Sequence, residues 1–139
     1  MILSLDLGTQ LGYYINSCKE AQTISLGQGD KRFLNFMTFL DITLEGGDIK
    51  QVAFEEPVIR GLSGKFFNCL IGVLKAKCLF YNVKYQGYSV TDVKKTFTKD
   101  GKADKKKIMK ECDKLGYKYD TDNAADAIAV YHTHLEKNK

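Results

Sequence analysis

The sequence predicts an α/β chain in which a mixed sheet of five strands is covered by helices on both faces. Three observations carry that prediction. Residues 2–6 (ILSLD) and 51–56 (QVAFEE) are short apolar runs ending in acids, the pattern of buried strands whose carboxylates emerge where the chain turns out of the sheet. The first three strand-like runs are separated only by turns, so they pair as hairpins. Later runs alternate with helical patterns, so they return by crossover.

Taken in order, residues 2–6 form the first buried strand. Residues 11–15 and 23–26 are two more, with 16–21 as the turn between them. Residues 31–44 carry apolar side chains at 33, 34, 36, 37, 39, 40, 42 and 44, a density that fits a largely buried helix. Asp30 is its expected N-cap, and Gly46-Gly47 ends it. Residues 51–56 return to strand, 58–65 (VIRGLSGK) form a loop, and a helix spans 66–80. A strand at 83–88 follows, then a short helix at 92–97, a break at Gly101, and a helix over 103–115 stopped by Gly116. The last helix opens at Asp122 and reads NAADAIAVYHTHLEK.

Composition narrows the function. At 139 residues the chain has the size of one domain, spanning 1–139, and its 44% hydrophobic and 27% charged residues are ordinary for a soluble globular protein. No apolar run approaches the roughly 18 residues that cross a bilayer, and MILSLDLG carries no basic leader, so the expectation is a cytoplasmic protein with no membrane partner. Cys18, Cys69, Cys78 and Cys112 show no zinc spacing and are expected as reduced thiols serving as small core residues. His132 and His134, two apart on a helix, face different directions and make a poor shared metal site. The formal charge is +4, yet residues 94–110 hold eight lysines against Asp100 and Asp104. Such a block suits an anionic polymer or a solvated helix face, and charge alone does not choose between them.

Three acids occupy comparable places: Asp6 ends the first strand, Glu55 ends the fourth, and Asp126 lies in the first turn or so of the last helix. Groups at strand ends and helix starts converge in open sheets. Converging carboxylates repel, and bound divalent cations remove that cost. Magnesium takes carboxylate and water oxygens, and two ions roughly 4 Å apart serve phosphodiester cleavage. Asp126 is the most telling of the three, because Ala124, Ala125, Ala127, Ile128 and Ala129 around it demand close packing, and an embedded carboxylate needs a partner.

Together, LSLDLGTQLGYY, VAFEEP, VKKTFTKDGKADKKKIM and DNAADAIAV resemble the RuvC family of Holliday junction resolvases, in style closest to bacteriophage-encoded members. The resemblance spans nearly the whole chain. It implies an RNase H-like fold and a homodimer that cuts opposed strands of four-way DNA junctions; forks and flaps are further candidate branched substrates. The implied cofactor is magnesium, with manganese as substitute, two ions per site and no small-molecule cofactor. It places catalytic acids on Asp6 and Glu55, and a final acidic pair on Asn123 and Asp126, where Asn123 is an amide in place of an acid. On a helix, Asp122 is offset from Asp126 by about 40° and Asn123 by about 60° the other way. Either can face a metal; the charged Asp122 ranks first as fourth ligand, Asn123 as a weak oxygen ligand, and Asp120 sits too far round.

The family's basic positions fall on Lys94 and Lys105, and Lys105 beside a scissile phosphate stabilises developing charge. Lys95, Lys102, Lys106 and Lys107 are read as gripping backbone phosphates. A family aromatic after the glutamate is unmatched, since Val58 and Ile59 stand there; Phe66 and Phe67 are expected in the core, and 66–80 supplies the dimer face. Asp-Leu-Gly-Thr also resembles the first phosphate loop of actin-like and sugar-kinase ATPases, but their second domain and loop have no room here. An RNA-directed nuclease resembling the YqgF family and a non-catalytic binder of branched DNA remain as alternatives.

Overall fold

The computed structural model describes residues 1–57 and 61–139, with the side chains of Leu62 and Ser63 left aside; Val58 and Ile59 lie outside the described residues. The elements run β1 (Ile2–Asp6), β2 (Gln10–Ile15), β3 (Glu20–Ser25), α1 (Lys31–Leu44), β4 (Gln51–Glu56), α2 (Gly61–Phe80), β5 (Lys84–Ser89), α3 (Val90–Thr98), α4 (Lys105–Lys114), β6 (Lys118–Tyr119) and α5 (Asp122–Lys137). The strands form one sheet in the order β5-β4-β1-β2-β3-β6. β1, β2 and β3 pair antiparallel, while β4 joins β1, β5 joins β4 and β6 joins β3 in parallel.

Alternation along the strands separates two apolar layers. Leu3 and Leu5 of β1, Leu11 of β2 and Val52 and Phe54 of β4 face α1 and α2, where Phe36, Leu40, Leu70 and Leu74 meet them. Each such fully buried side chain stabilises the fold by roughly 1.5–3 kcal/mol relative to exposure. The opposite face presents Tyr14, Ala21 and Ala53 to α5, which α3 and α4 cover in turn with Val93, Phe97, Ile108 and Cys112. α5 is therefore packed on both sides, and Ala124, Ala125, Ala127, Ile128, Ala129 and Val130 are all buried.

Several boundaries differ from expectation for local reasons. The sheet has six strands rather than five, because the two-residue β6 pairs Lys118 and Tyr119 with Glu20 and Ala21 and is too short to show an alternation. β3 starts at Glu20, so the turn is confined to 16–19; the Cys18 carbonyl accepts from the Tyr14 hydroxyl at 2.7 Å. Asp30 makes no side-chain cap, since its own backbone is already helical (φ −71°, ψ −16°). α2 begins at Gly61, five residues before the expected start, on a glycine with φ +62°. Ser89 caps α3 through the Asp92 N–H, and Asp104 caps α4 through the Lys107 N–H, which sets their starts at 90 and 105. Only Cys78 and Cys112 are core thiols; Cys18 and Cys69 are exposed. His132 bonds Tyr117 at 2.8 Å, whereas His134 bonds Tyr88 and Gln51 at 2.7 and 2.6 Å. No helix among the described residues is long and apolar enough to cross a membrane.

Candidate active site

β1 and β4 are neighbouring parallel strands, so their last residues leave the sheet at the same edge. Asp6 and Glu55 stand there, on the face that α5 covers. α5 starts at this edge because Thr121 caps it, accepting from the Ala124 N–H, while Thr121 and Thr23 hydroxyls meet at 2.6 Å. Asp120 accepts from the Thr23 N–H at 3.0 Å, so its carboxylate ties the approach to α5 onto β3. Gly12 completes the arrangement. A Cβ there would lie 2.1 Å from the Asn123 carbonyl oxygen and 2.4 Å from its carbonyl carbon, so only glycine lets the first turn of α5 settle on β2. Gly12 is not among the residues that the sequence singles out by chemistry, although a glycine inside a strand is itself a sign of close backbone approach.

The result is a cleft of about 460 Å³ whose wall includes Asp6, Glu55, Asn123, Asp126, Lys94 and Lys105. Leu7, Phe67, Val93 and Ile108 provide apolar wall between the polar groups. Phe67 thus touches both the core layer and the cleft. Asn123, rather than Asp122, lines the cavity. The Asp122 carboxylate instead accepts from Lys105 Nζ at 2.6 Å. Of the other expected DNA-contacting lysines, Lys95, Lys102, Lys106 and Lys107 are exposed outside the cleft wall, and Lys107 pairs with Asp100 at 2.9 Å.

The electrostatics fit three acids crowded into one half-buried space. Burial first, then repulsion from Asp126 and Glu55, holds the Asp6 carboxyl well above its ordinary range, against a smaller opposing pull from Lys105. Burial and Asp126 push Glu55 up to about 7, with Lys94 and Lys105 opposing. Asp126 rises to about 6, chiefly through burial. The bond from Lys105 holds Asp122 low, and the same bond raises Lys105. Two lysines therefore leave the three carboxylates short of positive charge.

A divalent cation would answer that shortage. The available donors are carboxylate oxygens with one amide, an all-oxygen set that suits magnesium or manganese rather than zinc. Among the described residues no three acidic, histidine or cysteine side chains form a ready-made metal cage. The donors line an open cleft instead, which matches a hydrated cation that keeps several waters and few protein ligands.

No protein-family model matches the sequence, and no curated protein matches it. Solved structures do match. The Thermus thermophilus RuvC structure superposes with a TM-score of 0.73 at 19% identity, covering 96% of this chain and 92% of that one. T. thermophilus RuvC in complex with Holliday junction substrate superposes with a TM-score of 0.77 at 18% identity, over 99% of this chain and 93% of that one. The single mixed sheet, covered by helices on both faces with α5 packed across its centre, is an RNase H-like fold of the kind found in RuvC.

Proposed function

We propose that this protein is a metal-dependent endonuclease that cuts branched DNA, resolving four-way junctions by paired nicks from a homodimer. The observation that carries this reading is the convergence of Asp6, Glu55 and Asp126, from β1, β4 and α5, into one cleft walled by Lys94 and Lys105. Likeness to a RuvC bound to a Holliday junction substrate supports the substrate class.

In this reading Asp6, Glu55 and Asp126 hold magnesium or manganese, two ions per site, with the Asn123 amide oxygen as the neutral fourth donor. Bound metal would supply a water nucleophile at neutral pH and neutralise charge at the departing oxygen. The protein's own contribution is positional. The exposed Lys105, tethered by Asp122, and the half-buried Lys94 of α3 stand where a phosphate reaching the carboxylates gathers negative charge. The exposed Lys95, Lys102, Lys106 and Lys107 grip backbone phosphates on either side, with affinity independent of base sequence. The single domain dimerises through α2, whose exposed Cys69, Gly72, Ala76, Leu79 and Phe80 form an uncovered face, and a two-fold axis sets one cleft against each of two opposed strands.

The test is cleavage of a labelled synthetic four-way junction with magnesium, alongside fork, flap, linear duplex and RNA controls. Paired nicks in the wild type, with Asp6→Asn binding the junction but leaving it intact, are expected. Binding without cleavage in magnesium and manganese would mean a non-catalytic junction binder, and preferential cutting of RNA would move the substrate class.

A further inference from the structure

Arg32 stands near the cleft with its side chain held by backbone, hydroxyl and aromatic partners rather than by a carboxylate. Its Nε donates to the Gly29 carbonyl at 2.8 Å and its Nη1 to the Thr9 hydroxyl at 2.9 Å. Its guanidinium carbon lies 4.0 Å from the centre of the Phe66 ring. A guanidinium has five N–H donors in a rigid plane, and these contacts use two. Among the described residues Arg32 makes no ion pair. It is half-buried, so the plane is fixed while a positive charge remains without a carboxylate.

Its anchors place it beside the site. Thr9 is three residues beyond Asp6 on the turn out of β1, and Leu7 of that turn lines the cleft. Phe66 packs on Phe67, ring centres 5.4 Å apart, and Phe67 is cleft wall as well. Arg32 thus stands on the bank formed by α1 and α2, across from the lysines of α3 and α4. Exposed Lys31 and Lys65 adjoin Arg32 and Phe66 in sequence and add to the positive field.

We propose that Arg32 is a preorganised phosphate-binding residue, which takes the nucleic-acid backbone as it leaves the cleft on the side away from the lysine block. The assignment rests on the DNA reading above. An arginine already held flat loses little entropy on binding, and its remaining donors suit a phosphate's paired oxygens. The strand then runs between two cationic banks that flank the carboxylates.

The experiment is equilibrium binding of a fluorescent four-way junction to the full chain without divalent metal, over a potassium chloride series, for wild type, Arg32→Gln and Arg32→Lys. Arg32→Gln is expected to bind roughly tenfold more weakly at low salt. Its slope of log affinity against log salt should be shallower by about 0.9 for each phosphate that is no longer neutralised. Arg32→Lys, which keeps charge without the stacked fork, should keep the slope and recover only part of the affinity, so it reports even where the glutamine variant fails to fold. If Arg32→Gln melts lower yet binds with wild-type affinity and slope, Arg32 is a strap between Thr9 and Phe66 and the assignment is overturned. A wild type that binds no DNA overturns the functional reading, and this assignment with it.

Discussion

Replacing Glu55 by glutamine should stabilise the metal-free protein at alkaline pH while abolishing cleavage. Glu55 in the folded chain holds its proton up to about 7, whereas the ordinary value is 4.5. Between those values the folded state binds a proton that the unfolded state has released. The stability tied to this group is therefore complete below about 4.5 and is lost as pH rises through 7. The full difference corresponds to about 3 kcal/mol at 1.36 kcal/mol per pKa unit. Water reaching the open cleft weakens both the burial penalty, the larger cause, and the repulsion from Asp126, so about 1–2 kcal/mol is the expected gain for Glu55→Gln at pH ~8, where glutamine keeps the shape without the charge. For a chain of this size that is a rise in Tm of roughly 3–8 °C. The assay is thermal unfolding in chelator at pH ~5 and ~8, repeated with excess magnesium. The two proteins should melt together at the lower pH and separate at the higher. Magnesium should then raise the wild type more than the variant, because only the wild type retains the full donor set. A Glu55→Gln protein melting at or below wild type at pH ~8 in chelator would refute the buried, charge-uncompensated cluster on which the metal assignment stands.

Two further perturbations probe how the site is held. Gly12→Ala should cost about 3 kcal/mol, since its methyl must displace the Asn123 carbonyl and with it the start of α5; denaturant unfolding showing unchanged stability would put that turn elsewhere. Lys105→Met and Asp122→Asn should couple by 0.5–3 kcal/mol in a double-mutant cycle on cleavage rate, because Asp122 acts through its 2.6 Å bond to Lys105. Calorimetric manganese affinity should survive Asp122→Asn and collapse in Asp126→Asn. Additive rate losses with a fall in manganese affinity at Asp122→Asn would make Asp122 a ligand in its own right.

What could be read from the chain, and what could not, follows from the range of the interactions involved. β1, β4 and α5 were legible because each announces burial within its own residues, and acids at their ends meet for purely topological reasons. The placement of Asn123 over Asp122 in the cleft was not legible, because about 100° of helix rotation separates them and nothing within α5 fixes its phase. That phase comes from elsewhere: the contact with Gly12 on β2, the Thr23–Thr121 hydroxyl pair and the Asp120 bond to β3. β6 was invisible for a similar reason, being two residues whose strand character exists only through Glu20 and Ala21. The lysines show the limit of counting charge. Eight in a row of seventeen positions read as one basic block, but α3 and α4 turn only some of them toward the cleft. Lys94 and Lys105 therefore enter its wall and oppose the ionisation cost of Glu55, while Lys107 is neutralised by Asp100 and the rest face solvent. Conversely Arg32, alone in its stretch of sequence apart from Lys31, carries no compositional signal. It gains its place only because Thr9, Gly29 and Phe66, distant along the chain, converge on one guanidinium. Charge density along a sequence thus finds where a polyanion can land; the tertiary partners of each charge decide which of them can act on it.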